Sequence, residues 1–345
     1  MLQEALELFQ RCLTVQEFLL TQAHEQDQVG MASEDAMNVE DESAMIENST
    51  SEFSEERWAS IIEPVTKDSL LDTAIAQLET LTTVCGLMSS QGDSGLAWIE
   101  EYSGDLLQGK ITAYLDGTTR NHEVVLARAN FTAAYSDASF RARQLDLTTY
   151  ERDLTAVFSQ ELDLSADPQG LCDRADALIA MNASIVASTD YAENVSAKEV
   201  TQIKNLRWTQ LTKALNDLAA AAKLGMAENL PRIHMRRGDC ELLRLRLSEQ
   251  PMPHATARTN RDTLLKNATV HYQSASKLAT ISESPDDEKE AAARAAVLEG
   301  LSFDEANTVQ MASGRIAENG NLMEVLEEMI EDGLLPSAVL ARLSG

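Results

Sequence analysis

The residues able to do chemistry are few, and their spacing does not assemble them. Gly92-Asp93-Ser94-Gly95 has the form of a serine nucleophile flanked by small residues. No His stands in a matching context, and the four residues join two predicted helices, so they read as a connection. Cys172 with Asp173 would make half of a thiol site, but it lacks a His partner and reads as a packed helix-start cysteine. His24, His122, His234, His254 and His271 include no pair four apart on one helix face, which zinc binding by a helix requires. Cys12, Cys85, Cys172 and Cys240 stand singly, without the C-x-x-C of a metal knuckle or redox dithiol, and read as reduced thiols buried in helices. The glycines at 92, 95, 104 and 109 do not follow the order of a phosphate loop. The expectation is a protein with no catalytic residues, no cofactor and no metal.

Charge is the sharper feature. The 345 residues carry 28 Lys+Arg against 56 Asp+Glu, a formal charge of −28. Residues 1–203 hold a net −25, residues 204–277 a net +7, and residues 282–345 a net −10. Such a balance excludes direct nucleic-acid binding, which needs a cationic surface. Residues 34–56 hold nine acids and no Lys or Arg. A segment of that composition buries too little apolar surface to offset its ordering entropy, so a mobile acidic loop is expected over 25–57. Its carboxylates, Glu40, Asp41, Glu42, Glu47, Glu52, Glu55 and Glu56, are the candidate partner-binding residues, a polyanion that draws a basic protein by long-range attraction. Arg232, Arg236, Arg237, Arg244 and Arg246 share one predicted helix and should pair with the chain's own surplus carboxylates. Trp58, Trp98 and Trp208 read as packing residues.

What must position these groups is helical. Seven Pro, 15 Gly and 5% aromatics among abundant Ala, Leu and Glu favour helices over sheets, and a 44% hydrophobic fraction suffices for a core. No run of alternating β-branched residues bounded by turn dipeptides marks a strand. No apolar run of about 18 residues marks a membrane span. The start lacks a basic region followed by an apolar one, so no secretory signal is expected, and cytoplasm or nucleus is the expected location. It also opens in mid-helix pattern, as if residues were missing upstream. Without a signal, the N-x-[ST] triplets at Asn48, Asn130, Asn182, Asn194 and Asn267 read as chance matches.

Helical spacing places a first helix over 2–24, with Leu2, Leu6, Phe9, Leu13 and Phe18 recurring, and another over 67–89. Helices follow at 94–115, 121–143 and 147–161. Asp167-Pro168 begins the next, with Asp as N-cap and Pro at the first helical position. Ser196-Ala-Lys-Glu199 is a capping box that launches the clearest helix, in which Trp208, Leu211, Leu215, Leu218 and Ala222 step by three and four. Helices at about 229–248 and 257–281 follow, and Ser284-Pro285 starts another. Ser302-Phe-Asp-Glu305 is a second capping box, and the tail 322–345 holds two short helices parted by Gly333 and Pro336.

Within these helices a small residue recurs four before a large apolar one and seven before a second small one. Ala5, Phe9 and Cys12 fit, as do Ala127, Phe131 and Ala134, then Ala214, Leu218 and Ala221, then Ala268, Tyr272 and Ala275. EALELFQRCLTVQ and LLKNATVHYQSASKLA resemble second helices of tetratricopeptide repeats, and LPRIHMRRGDCELL resembles a first helix. The intervals are not clean multiples of about 34, and the family's Trp and Gly-Tyr positions are mostly missing, so the copies are degenerate and separated by insertions. The resemblance covers about half the chain. It implies an all-α fold of antiparallel helix pairs stacked as a right-handed superhelix over 1–281, with 282–345 as a C-terminal cap; an irregular helical bundle is the alternative.

The resemblance also implies a concave face that binds another polypeptide without catalysis. Acidic histone chaperones of this class interrupt their repeats with an acidic segment, and FQRCLTVQEFLLTQAHE is similar in style to one of their helices. The expectation is a scaffold or dedicated chaperone that shields a basic client, a ribosomal protein or a histone. An adaptor subunit that binds through an apolar groove is the alternative, and an all-α enzyme is a third.

Overall fold

The computed structural model describes residues 2–34, 64–88, 93–158, 162–188, 196–225, 229–249, 252–302, 320–337 and 339. Among them every regular element is helical and no strand occurs. The chain is all-α. No helix among the described residues is long and apolar enough to cross a membrane. By its contacts the chain divides into two compact units, Met1–Val84 with Ala97–Arg128, and Cys85–Leu96 with Ala129–Gly345.

The first unit is built from α1 (Leu2–Glu34), α2 (Lys67–Leu87), α3 (Asp93–Asp105), a π-helical turn (Leu106–Lys110) and α4 (Ile111–Leu115). α1 runs ten residues beyond its expected end at 24, to Glu34. The expectation of a loop from 25 is corrected there: Glu25, Gln26 and Gln28 are good helix formers, and no Pro interrupts them. The rest of the expected loop, with Glu40, Asp41, Glu42, Glu47, Glu52, Glu55 and Glu56, lies outside the described residues. On α2 the spacing acts as expected. Leu71, Ala74, Leu78 and Leu81 are fully buried on one face. Polar ties fix the neighbours: Thr73 Oγ1 donates to Gln16 Oε1 at 3.0 Å, and Tyr102 Oη donates to Gln77 Oε1 at 3.0 Å. The single helix expected over 94–115 is interrupted, because hydrogen bonding widens over Leu106–Lys110 into a π-turn that contains Gly109.

In the second unit the caps appear where the side chains call for them. Asp146 accepts from Thr149 N at 2.9 Å to start α6 (Leu147–Val157), after α5 (Asn121–Arg141), which belongs to this unit from Ala129 on. Asp167 accepts from Gly170 N at 3.0 Å, with Pro168 next, to start α7 (Pro168–Ala187). Ser196 and Glu199 form the reciprocal capping box of α8 (Ala197–Leu224). α9 (Leu230–Arg246), α10 (Ala255–Thr259), α11 (Arg261–Ile281), α12 (Pro285–Ser302) and α13 (Gly320–Glu331) follow. The helix expected over 257–281 is parted at Asn260, and Gly333 at φ +71° turns the chain out of α13. The expected box at Ser302 is not tested, since residues 303–319 lie outside the described ones.

Consecutive helices pack: α7 on α8, α8 on α9, α9 on α11, α11 on α12, α12 on α13. The core gathers Leu211, Leu242, Leu264, Tyr272, Val297, Leu298 and Leu326. Two of the small–large–small triplets, Ala214/Leu218/Ala221 and Ala268/Tyr272/Ala275, are buried throughout, whereas Cys12 of the first is exposed. Buried carboxylates are shared with tyrosines. Asp137 accepts from Tyr150 Oη at 2.8 Å and from Arg141 Nε at 2.8 Å, and Asp239 accepts from Tyr272 Oη at 2.7 Å and from Arg294 at 2.8 Å. Each tyrosine is pushed above its usual range by burial and then by the neighbouring carboxylate.

Candidate functional site

In the first unit, α3 carries Trp98, Glu101, Tyr102 and Asp105 at spacings of three, four and seven, which puts them on one stripe of the helix. The stripe borders a cavity of about 340 Å³ that also meets Gln10 and Leu13 of α1, Gln77 of α2 and the π-turn at Leu106. Trp98 and Tyr102 lie with ring centroids 5.5 Å apart. The Tyr102 hydroxyl is tied to Gln77, and burial raises its pKa, so the ring is a neutral, fixed wall. A π-turn adds a residue to the helix and re-aims the side chains beyond it, and such turns recur at binding sites. Here it succeeds Asp105 directly.

The polar groups of the cavity are unevenly satisfied. Gln77 is 2% exposed and its Nε2 has no hydrogen-bond partner among the described residues. Its Oε1 is engaged by Tyr102, which fixes the amide and leaves the donor end over. Lys110 is held by Glu17 at 3.4 Å, and Tyr114 donates to the same carboxylate. Glu101 and Asp105 are exposed and make no ion pair among the described residues. An aromatic wall, two unneutralised carboxylates and a spare amide donor suit a ligand that brings a cation and a carbonyl together.

The wider surface of this unit has the same sign. Among its described residues, Lys67 pairs with Asp116, and Arg120 with Asp72 and Glu123, so these bases are engaged while carboxylates remain. Of the tryptophans, Trp98 is half-buried at the cavity instead of sealed in a core. The helical stripe W-x-x-E-Y-x-x-D was the sequence signal for it. Trp208 is also half-buried, stacked on His254 at 4.7 Å with the Arg244 guanidinium 4.1 Å from its ring centre. Trp58 lies outside the described residues.

Cys172 and Ser94, weighed in the sequence as nucleophiles and read there as structural, both lie in helices. Burial pushes the Cys172 thiol up to about 11, and nearby Asp176 and Asp173 add to it, the opposite of an activated thiolate. Ser94 lies in the first turn of α3. No group of His, Cys, Asp and Glu with metal-holding geometry occurs among the described residues. Four of the five arginines of α9 meet carboxylates of this chain, Arg232 with Asp287, Arg236 with Asp176, Arg244 with Glu241 and Arg246 with Glu249, whereas Arg237 makes no ion pair within 4 Å among the described residues. No protein-family model matches the chain, and no curated protein or solved structure matches it.

Proposed function

We propose that this protein is a non-catalytic helical scaffold, a dedicated chaperone or carrier, that holds a basic polypeptide segment. The observation that carries the reading is the Trp98/Tyr102 wall beside the unpaired carboxylates Glu101 and Asp105. A Lys or Arg side chain laid on Trp98 gains the ring's quadrupole and both carboxylates, and a peptide carbonyl meets the spare Gln77 donor. A ribosomal protein or a histone is the class of client with the required density of bases, and such a client places the work in cytoplasm or nucleus. The packing of α7 on α8, α8 on α9 and α9 on α11, with Gly238 of α9 against Tyr272 of α11, supports a tetratricopeptide-like arrangement of helix pairs. The carboxylates of residues 40–56 supply a longer-range attraction in this reading.

The test is the affinity of a short Lys/Gly peptide measured by fluorescence anisotropy at low and high salt. Binding should weaken as salt rises, and Trp98→Ala, or Glu101→Gln with Asp105→Asn, should each lower affinity by about tenfold. Equal binding of a Ser/Gly peptide, with no response to salt, sinks the reading.

One observation favours a second reading, an adaptor that docks through an apolar face. Leu8, Val15, Phe18 and Leu19 of α1 are 63%, 57%, 61% and 42% exposed, and Leu8, Val15 and Leu19 lie on one stripe. A partner whose binding survives high salt and the Trp98 variant, but not Val15→Lys with Phe18→Lys, selects the adaptor.

A further inference from the structure

The second unit holds a cavity of about 560 Å³, within the range of small-molecule sites. Its charged lining is balanced, with Lys204, Arg207, Arg236 and Arg246 against Asp239, Glu249, Glu331 and Asp332. Lys204 and Arg207 of α8 and Arg246 of α9 gather at one part of it, with Glu249 as their nearby carboxylate. Arg246 Nε is 3.1 Å from Glu249, and Lys204 Nζ donates to the Glu249 backbone carbonyl at 2.9 Å. Arg207 makes no ion pair within 4 Å among the described residues. Burial, and then Arg246, lowers its pKa to about 10, with Glu249 offsetting part of the effect.

Asn182 of α7 completes the arrangement. It lines the cavity and is 1% exposed. Its Oδ1 accepts from Arg207 Nε at 2.8 Å, which fixes the amide the other way round from a flipped one. The atom left over is Nδ2, a buried donor with no partner among the described residues. An unpaired guanidinium and an unpaired amide donor, held against each other in one cavity, share one need, an anionic acceptor.

We infer that this cavity binds a carboxylate carried on a short apolar body. The carboxylate sits against Arg207 and Asn182, within the field of Lys204 and Arg246. Ile179, Leu243 and Leu334 supply the apolar wall. Asp239, Glu331 and Asp332 border the same cavity and oppose a second negative charge, which disfavours a phosphate dianion. Such a carboxylate belongs to a free branched-chain acid or to a Glu side chain of a polypeptide.

The experiment titrates the full chain with isocaproate, isocaproamide, isopentylphosphonate and N-acetyl-glutamate N-methylamide, following the Arg207 Nε–H and Asn182 side-chain amide resonances. Either carboxylate should saturate and move both resonances, and isocaproamide should not. Tighter binding of isocaproate assigns the site to a free acid, and tighter binding of the glutamate derivative assigns it to a polypeptide; both sustain the inference. Arg207→Gln should weaken binding by about tenfold, and Arg207→Lys by less, with the helical signal of each variant compared with the parent. Binding of the amide as tight as that of the acid, a preference for the phosphonate, no saturation by about 10 mM, or full affinity in a folded Arg207→Gln protein overturns it.

Discussion

Gly238 and Tyr272 occupy each other's margin: a Cβ on Gly238 of α9 would stand 2.5 Å from Tyr272 Cε1 of α11. The ring cannot retreat, because Tyr272 is fully buried and its hydroxyl is fixed on Asp239 at 2.7 Å. The glycine therefore sets the distance between two helices. Gly238→Ala should lower stability by about 1–3 kcal/mol, read from the midpoint of urea unfolding. Gly104 in α3 is the control, since a Cβ there meets nothing within 4 Å. Gly104→Ala should leave stability unchanged or raise it by up to about 1 kcal/mol. Equal effects of the two changes would refute the close approach.

That glycine shows how far the sequence could be read. The step from Ala268 to Tyr272 to Ala275 was visible because helix packing imposes a period, and a period is a property of the chain. The caps at Asp167 and Ser196 were visible because one side chain and the backbone beside it do the work. The contact of Gly238 was not visible, because it is decided by a residue 34 positions away. The π-turn at Leu106–Lys110 left no periodic mark, since one widened turn shifts the phase without breaking the run of apolar residues. The cavity around Arg207 is the extreme case. Its members come from α7, α8, α9 and the turn after α13, and in sequence Asn182 is an unremarkable glycosylation-like triplet. The acidic character of Glu101 and Asp105 was legible, whereas their proximity to Trp98 required the helix to be placed.

A pH response arises from His271 and His234, whose rings lie 5.7 Å apart on α11 and α9. Burial, then Arg237 and His234, hold the His271 pKa down to about 4. His234 is lowered as well, by burial and then Arg237. In the unfolded chain an imidazole takes a proton near its ordinary value of about 6.5. Below that value the unfolded state binds protons that the folded state refuses, so stability is present at neutral pH and lost as pH falls toward about 4. Urea midpoints should fall between about pH 7 and about pH 5, and His271→Gln should flatten that slope. A slope identical in parent and variant would remove His271 from the response.

The cysteines give a separate check on which helix faces are covered. Cys12 is exposed on α1, against the expectation that all four thiols are buried, because the face of α1 that carries it is open among the described residues. Cys85 and Cys240 are fully buried, and Cys172 is intermediate. Burial lifts the Cys85 thiol to about 12 and the Cys172 thiol to about 11, and it raises Cys240 further above its usual value. Since the thiolate is the reactive form, both access and ionisation protect these three. A thiol reagent added to the native protein at about pH 8, near the ordinary thiol value, should label Cys12 first and Cys172 slowly. Cys85 and Cys240 should react only as urea unfolds the chain, at the same midpoint as the loss of helical signal. Peptide mapping of the labelled sites reads the order directly. Labelling of Cys240 before unfolding would mean that α9 and α11 separate locally, and Gly238→Ala should then accelerate it.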